Sequence, residues 1–289
     1  MWGIHLEGIV AFTRIVEPEV TSMSHCRRVT TGDARLTYPC VAGKSLPWSN
    51  GLEPSRAWFE RNLGSGVEGF HAFGEDGTLV GHLYWCRSEQ ALIPYRLEPG
   101  TGIVLCEWVD HSSRGKGIAR EMYAGLAGAL TAEGRKGIFA EATGEVEYMH
   151  RSHFEKRGFR AVLESSRGCL MYLPLIEPEA PPSLTPLQPG ASASLIPLNL
   201  PRFSNAPVEV VVVGSLFCPV SAFTLLILRE VVPSFGGAVR LVEFEASRQA
   251  VEEWGAGHGI FVNGRERFVG PVSEAGVLKT LDAAVRNLP

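Results

Sequence analysis

The sequence predicts a mixed α/β protein built from two units in series. Three observations carry that expectation. Apolar β-branched runs alternate with helical repeats over residues 25–173 and again over 208–289, and the stretch between them loses both periods. A glycine-rich turn joins a strand to a long amphipathic helix at residues 109–119. At 289 residues the chain is long for one core and ample for two. The net charge of -4 gives no basic footprint, so neither nucleic acid nor an anionic membrane surface is an expected partner.

The first 24 residues read as an extension. Their apolar run, Ile4 to Ile15, is interrupted by His5, Glu7 and Arg14, and no small-residue cleavage site follows, so it suits an extra strand or a tail better than a signal or membrane segment. Next come a strand near Cys26 to Thr30, helical stretches within Asp33 to Leu63, and strands at Gly69 to Phe73 and Leu79 to Arg87. Gly74-Glu-Asp-Gly77 between the last two makes a hairpin. A strand follows at Gly102 to Asp110, then a helix from Gly115 to Glu133. Ile118, Met122, Leu126 and Leu130 form its buried stripe, and Gly134 ends it. A strand Gly137 to Thr143, a helix Val146 to Arg157 stopping at Gly158, and strands around Ala161 to Glu164 and Cys169 to Leu173 complete the unit.

Residues 174–207 hold nine of the nineteen prolines and read as a linker. Beyond it, Glu209-Val-Val-Val-Val213 is too uniformly apolar for an exposed strand and belongs at a sheet centre. A helix opening at Cys218-Pro-Val-Ser221 and running to Val232 follows, then a strand Val239 to Glu245 and a helix Arg248 to Trp254. A hairpin Ile260 to Val269 turning at Asn263-Gly264 and a closing helix Ser273 to Asn287 end the chain.

The turn Val109-Asp-His-Ser-Ser-Arg-Gly-Lys-Gly-Ile-Ala119 is an anion cradle in prospect: the first N–H groups of a helix lack partners within it, and the helix dipole puts partial positive charge beside them. A dinucleotide fingerprint would need Gly at position 120, which is Arg, and a P-loop would need a Lys-Ser/Thr pair that is absent. The spacing Arg114-x-x-Gly117-x-Ala119 after a strand resembles the acetyl-CoA signature of the GNAT family of N-acetyltransferases. That resemblance implies a mixed, splayed central sheet with flanking helices over residues 25–173 and acetyl-CoA as co-substrate. Trp108, Val109, Arg114, Gly115, Lys116, Gly117, Ile118 and Ala119 would hold the cofactor. The reaction would be attack on the thioester by a small amine, with Glu107 as base. The family's usual acid is a tyrosine that here is Phe154, in Phe154-Glu-Lys-Arg-Gly-Phe159, so the nearby donors Tyr148, His150 and His153 are the substitutes. The acceptor site would be lined by Tyr38-Pro-Cys40, Trp48 and Trp58, with Trp85 and Trp108 from strands.

The C-terminal order of elements, with a cysteine opening the first helix, resembles thioredoxin. Acetyltransferase, linker and single-cysteine thioredoxin-like domain (208–289) together resemble the YoaP-like family. Cys218 at a helix N-terminus should have a lowered pKa. The resolving position is Ser221, which leaves monothiol chemistry, and His258 stands where a thioredoxin cis-proline would fall. The six cysteines, 26, 40, 86, 106, 169 and 218, show neither C-x-x-C nor zinc spacing, so a reduced, cytoplasmic setting and no resident metal are expected. Two functions stay open: an acetyl-CoA-dependent N-acetyltransferase of a small-molecule amine, or a thiol-based binding, sensing or soft-metal-handling protein on a non-catalytic acetyltransferase scaffold. A homodimer is left open for either.

Overall fold

The computed structural model describes residues 24–144, 148–165, 168–176, 181–187, 200–255, 257–268 and 272–288. Apart from Ser24, the anticipated N-terminal extension lies outside them. The first unit runs β1 (Ser24–Arg28), two 3-10 turns (Thr31–Leu36 and Pro47–Gly51), α1 (Leu52–Asn62), β2 (Glu68–Gly74), β3 (Leu79–Arg87), β4 (Tyr95–Leu97) and β5 (Thr101–Val109). It continues with α2 (Ile118–Ala132), β6 (Gly137–Thr143), α3 (Arg151–Glu155), β7 (Arg160–Ser165) and β8 (Gly168–Pro174). Seven strands form one sheet in the order β1-β2-β3-β5-β6-β8-β7. Every neighbouring pair is antiparallel except β5 and β6.

Alternation along the strands sorts the two faces. Leu83 and Trp85 of β3, and Ile138, Ala140 and Ala142 of β6, join Met122, Leu126 and Leu130 of α2 in one core. The other face carries Tyr84, Cys86 and Phe139, which pack into separate clusters away from α2. Trp85, expected in the acceptor site, has no exposed surface and sits among the α2-facing residues. Its position in β3 puts it on the core face, so it is a packing residue and not a pocket wall.

Two further expectations change. Among the described residues of the helix foreseen over Val146 to Arg157, only Arg151–Glu155 are α-helical: Met149 adopts φ 41°, and the His150 side chain accepts from Ser152 N–H as the helix cap. Within the proline-rich stretch, β9 (Leu184–Pro186) pairs antiparallel with β4, so the segment is not wholly a spacer.

The second unit comprises β10 (Val208–Gly214), α4 (Pro219–Val231), a 3-10 segment Val232–Ala238, β11 (Val239–Glu245), α5 (Arg248–Trp254), β12 (Gly259–Val262), β13 (Arg265–Phe268) and α6 (Glu274–Arg286). Its sheet order is β11-β10-β12-β13, with β10 and β11 parallel and the remaining pairs antiparallel. Val208, Val210 and Val212 of β10 meet Leu228 and Val231 of α4 and Val277 and Leu281 of α6. The 20-residue run Pro219–Ala238 is apolar and long enough to cross a membrane, with a mean hydropathy of 1.3 over an 18-residue window. That apolarity is accounted for by the core on one side and the first unit on the other, and Gly236 breaks the helix with φ 56°.

The units touch along α4 and around residues 91–96. Phe217 stands edge-on to Tyr38, Trp58 and Tyr84 at 5.6 to 6.1 Å between ring centroids. Arg248 Nη1 donates to the Ala91 carbonyl at 3.0 Å, and Arg96 pairs with Glu252 at 3.4 Å. Glycine is needed at two of the contacts: a Cβ on Gly51 would lie 2.0 Å from the Pro219 carbonyl oxygen, and one on Gly257 would lie 1.5 Å from that of Leu92. Gly51→Ala should therefore push α4 off the first unit. Small-angle scattering is expected to show a larger radius of gyration with unchanged far-UV circular dichroism; an unchanged radius would mean that the contact yields locally.

The polar residues of the second face titrate late. His71 is fully buried with Nε2 3.1 Å from the Tyr84 hydroxyl, and burial lowers its pKa from 6.5 to about 4, with Asp33 opposing the shift and Arg27 adding to it. The unfolded chain takes up this proton at a higher pH than the folded one. The stability linked to His71 is therefore fully present above pH 6.5 and is lost as the pH falls towards 4. The loss amounts to about 3 kcal/mol. Urea titrations of His71→Gln between pH 7 and 4 should show a shallower acid decline than the parent protein.

Candidate active site

The site begins as a break in the sheet. Thr101 to Val104 of β5 pair with Gly137 to Ala140 of β6, and there the pairing ends, although β5 stays with β3 as far as Val109. The register with β3 shifts at the same point: Tyr84 faces Cys106 and Trp85 faces Val104, so Leu105 is an extra residue in β5. Such a bulge bends its strand. The outer half of β5 leaves β6, which continues with β8 to Thr143, and a wedge opens between them. Along Leu105 to Val109 one edge of main-chain polar groups is left without a strand partner, and such groups need an alternative one.

The chain then turns into the anion cradle. Asp110 accepts from Ser112 N–H at 3.0 Å and from its hydroxyl at 2.6 Å, closing the turn. Gly115 and Gly117 take φ of 80° and 82°. A Cβ at Gly115 would meet nothing within 4 Å and one at Gly117 only an Arg120 side-chain nitrogen at 3.5 Å, so the backbone conformation is what selects glycine here. The first hydrogen bond of α2 runs from Glu121 N–H to the Gly117 carbonyl at 3.1 Å, so the N–H groups of Ile118, Ala119 and Arg120 precede any helical bond. A cleft of about 380 Å³ opens at this point. Seven of the anticipated cofactor residues line it: Trp108, Val109, Arg114, Gly115, Gly117, Ile118 and Ala119. Lys116 lines a neighbouring cavity of about 550 Å³ instead, together with Lys44, whose ammonium lies 4.5 Å above the Trp108 ring.

Arg120, Lys156 and Arg157 also line the cleft. They were not anticipated, because cations scattered over two helical segments form no local motif and the net charge of the chain is negative. The cleft joins them only through the packing of α2 beside the loop after α3.

Glu107 and His153 face the same cleft. Glu107 Oε1 lies 3.8 Å from Arg157 Nη2 and 4.0 Å from His153 Nδ1, while Oε2 is buried without a hydrogen-bond partner. Burial lowers the His153 pKa, with Glu107 opposing, so the imidazole is neutral near neutral pH. Phe154 is fully buried and supplies no hydroxyl. Its ring stands edge-on to Tyr123 of α2 at 6.4 Å between centroids. The Tyr123 hydroxyl is buried without a partner, the Arg157 guanidinium lies 4.8 Å over its ring, and its pKa is held well above the ordinary value by burial and then by the charge of Glu107. A protonated phenol thus lies beside the Glu107 carboxylate. A tyrosine in a helical stripe reads as core, which is why the sequence pattern did not single it out.

The remaining candidates gather elsewhere. Tyr148 is 49% exposed and lies within electrostatic reach of Cys106, Cys218, Glu141 and Cys40. Trp48 is partly buried on the 3-10 turn whose last residue, Gly51, abuts α4. Cys218 caps α4 ahead of Pro219 as foreseen, yet its pKa is raised. Burial outweighs the lowering effect of the Val220 and Ser221 N–H groups, so the expectation of an activated thiolate is overturned. Cys40 is pushed up to about 12, by burial first and the charge of Cys218 second. No cis peptide bond occurs among the described residues, and His258 is exposed.

No protein-family model and no curated protein sequence matches this chain. Among solved structures it is similar to a protein assigned to the GNAT acetyltransferase family from Desulfovibrio desulfuricans, at 20% identity and a TM-score of 0.41 over 53% of this chain and 99% of that one. A GNAT-family acetyltransferase from Staphylococcus aureus Mu50 gives 14% and 0.41 over 53% and 99%. The GNAT N-acetyltransferase YhbS from Escherichia coli, solved with CoA, gives 13% and 0.39 over 55% and 84%. At these identities and scores, no activity is transferred to this chain.

Iodoacetamide labelling of Cys218 should rise with pH through a midpoint above the ~8.5 of an ordinary thiol. A midpoint below about 7 would restore the activated thiolate.

Proposed function

We propose that this chain is an acyl-CoA-dependent N-acetyltransferase of a small-molecule amine. In this reading residues 25–173 form a GNAT domain, 174–207 link it to the rest, and 208–289 form a monothiol, thioredoxin-like domain. The observation that carries the proposal is the meeting of two features at one cleft: the wedge where β5 leaves β6, and the glycine turn at the N-terminus of α2. A pantetheine arm needs main-chain partners along an extended stretch, which Leu105 to Val109 offer. A diphosphate needs clustered N–H groups and cations, which Ile118 to Arg120 and the side chains of Arg114, Lys156 and Arg157 offer. The sheet order β11-β10-β12-β13 of the second unit, with its helix opening at Cys218, suits the thioredoxin-like part of the reading.

Acetyl-CoA would supply an acetyl group already activated as a thioester. Within the cleft Glu107 accepts the proton that the attacking amine must lose, through its unpartnered Oε2, directly or by way of water. Tyr123 serves as the proton donor in place of the hydroxyl absent at Phe154, since its phenol stays protonated beside Glu107. Arg157, 3.8 Å from Glu107, orients its carboxylate. The reading as a thiol-based sensor on an inert scaffold has less support, because burial holds Cys218 protonated and no metal-binding cluster occurs among the described residues.

Calorimetric titration with acetyl-CoA should show binding that Gly117→Glu abolishes by bulk and charge. Absence of binding to the parent protein would remove the enzyme reading. In an amine-acceptor assay, Glu107→Gln and Tyr123→Phe should each lower kcat by about 10²- to 10⁴-fold with little change in acetyl-CoA affinity, whereas His153→Ala should be mild.

A further inference from the structure

None of the groups assigned to catalysis lies in the cavity of about 550 Å³ that Lys44 and Lys116 line. It adjoins the cofactor cleft, with Trp108, Ser113 and Ile118 as walls of both. His153, Lys156 and Arg157 complete the cleft, whereas the hairpin between β2 and β3 and the loop after Tyr38 complete the cavity, so the glycine turn stands between the two.

Burial sorts the lining of the cavity. Pro39, Leu79, Val80 and Trp108 are its partly buried walls and Ile118 a fully buried one, which makes the floor apolar. The exposed rim carries both signs of charge: Glu75 and Asp76 on the hairpin, Lys44 on the loop, and Lys116 between the two glycines of the turn. Two of these groups are held in place. The Lys44 ammonium lies 4.5 Å above the Trp108 ring, and Asp76 Oδ1 accepts from the Thr78 N–H at 2.9 Å. A third carboxylate, Asp110, also lines the cavity, and its Oδ1 is engaged by the Ser112 N–H and hydroxyl at 3.0 and 2.6 Å. Among the described residues, Lys44, Glu75, Asp76 and Lys116 form no ion pair with one another or with any other group. An acidic wall and a basic wall thus border one cavity without closing on each other.

We propose that this cavity is a second ligand site, for a small zwitterion with an apolar body: a free amino acid with an aliphatic or aromatic side chain. Its carboxylate faces Lys44 and Lys116, its ammonium faces Glu75 and Asp76, and its side chain rests on the floor formed by Leu79, Val80 and Trp108. The volume falls within the range of about 300 to 1,000 Å³ usual for small-molecule sites, and an apolar floor with a few polar groups at the rim is their usual build. The charges choose the class. A simple anion that reached the lysines would meet the hairpin carboxylates, and a simple cation drawn to the hairpin would meet the lysines. A molecule carrying both signs satisfies both walls. Each exposed ion pair contributes little by itself, so selectivity comes from the requirement for both at once. The site stands without the acetyltransferase reading, since none of its groups acts on a thioester. It places a second small molecule beside the cofactor cleft, across one shared turn.

Calorimetry on the full-length protein tests the proposal. L-leucine, L-phenylalanine and L-tryptophan are titrated beside their matched amines, isoamylamine, phenethylamine and tryptamine, and their matched acids, isocaproate, hydrocinnamate and indolepropionate. Each analogue lacks one of the two charged groups. At least one amino acid is expected to bind about tenfold or more tightly than both of its analogues. Lys44→Gln combined with Lys116→Gln should bring that amino acid down to the level of its amine. Glu75→Gln combined with Asp76→Asn should bring it down to the level of its acid. All four positions are exposed, so both double variants should keep the parent far-UV circular dichroism. Absence of binding by all three amino acids, an amine or acid that binds as well as its amino acid, or affinity unchanged in both double variants would overturn the proposal. Acetyl-CoA titrated into the same parent protein reads the neighbouring cleft separately. Amino-acid binding without acetyl-CoA binding would leave this site and remove the acetyltransferase; acetyl-CoA binding without amino-acid binding would do the reverse.

Discussion

The extra residue at Leu105 is the constraint on which the candidate site depends. A strand held by β3 on one side and β6 on the other has no main chain to offer a ligand. By inserting one residue against β3, the chain keeps that partner through Val109 and gives up β6 after Val104. The change also decides which way every later side chain of β5 points, because the period of a strand is two. Cys106 and Trp108 fall on the side of the second unit, and Glu107 on the side of α2 beside Tyr123, His153 and Arg157. One irregular residue thus makes the opening and also distributes the chemistry to its two sides.

The second constraint is burial at the contact between the units. The N-terminal dipole and free N–H groups of a helix are a real stabilisation for a thiolate, yet at Cys218 they lose to desolvation. The same enclosure raises Cys40 and Cys106. A helix-capping cysteine is therefore insufficient to define a reactive one: what packs over the cap decides, and here that packing includes the aromatic group around Phe217.

Much of this was legible in the sequence, for reasons that are local. Every principal strand of both sheets was marked by a β-branched or alternating run, and the cradle was marked by Arg114, Gly117 and Ala119 following one of them. What failed to show was relational. Trp85 reads as a pocket residue because aromatic character does not reveal which face of β3 it occupies. Tyr123 looked like one more member of the α2 stripe, and only its juxtaposition with Phe154 shows that a phenol stands next to the place where one was missed. The short strand β9 hid among prolines because a three-residue pairing has too little pattern to be seen.

That short strand sets the length of a leash. With Leu184–Pro186 annealed to β4, only about twenty residues of chain separate the fixed part of the first unit from β10. Whatever course they follow, they cannot reach beyond about 70 Å when fully drawn out. If the contact between the units opens, Cys218 and Phe217 remain confined to a small volume around the sheet they left. Their return is then an intramolecular event at millimolar effective concentration, independent of how dilute the protein is. Weak contacts such as the Arg96–Glu252 pair suffice under such conditions, and the two halves part and close again without losing one another.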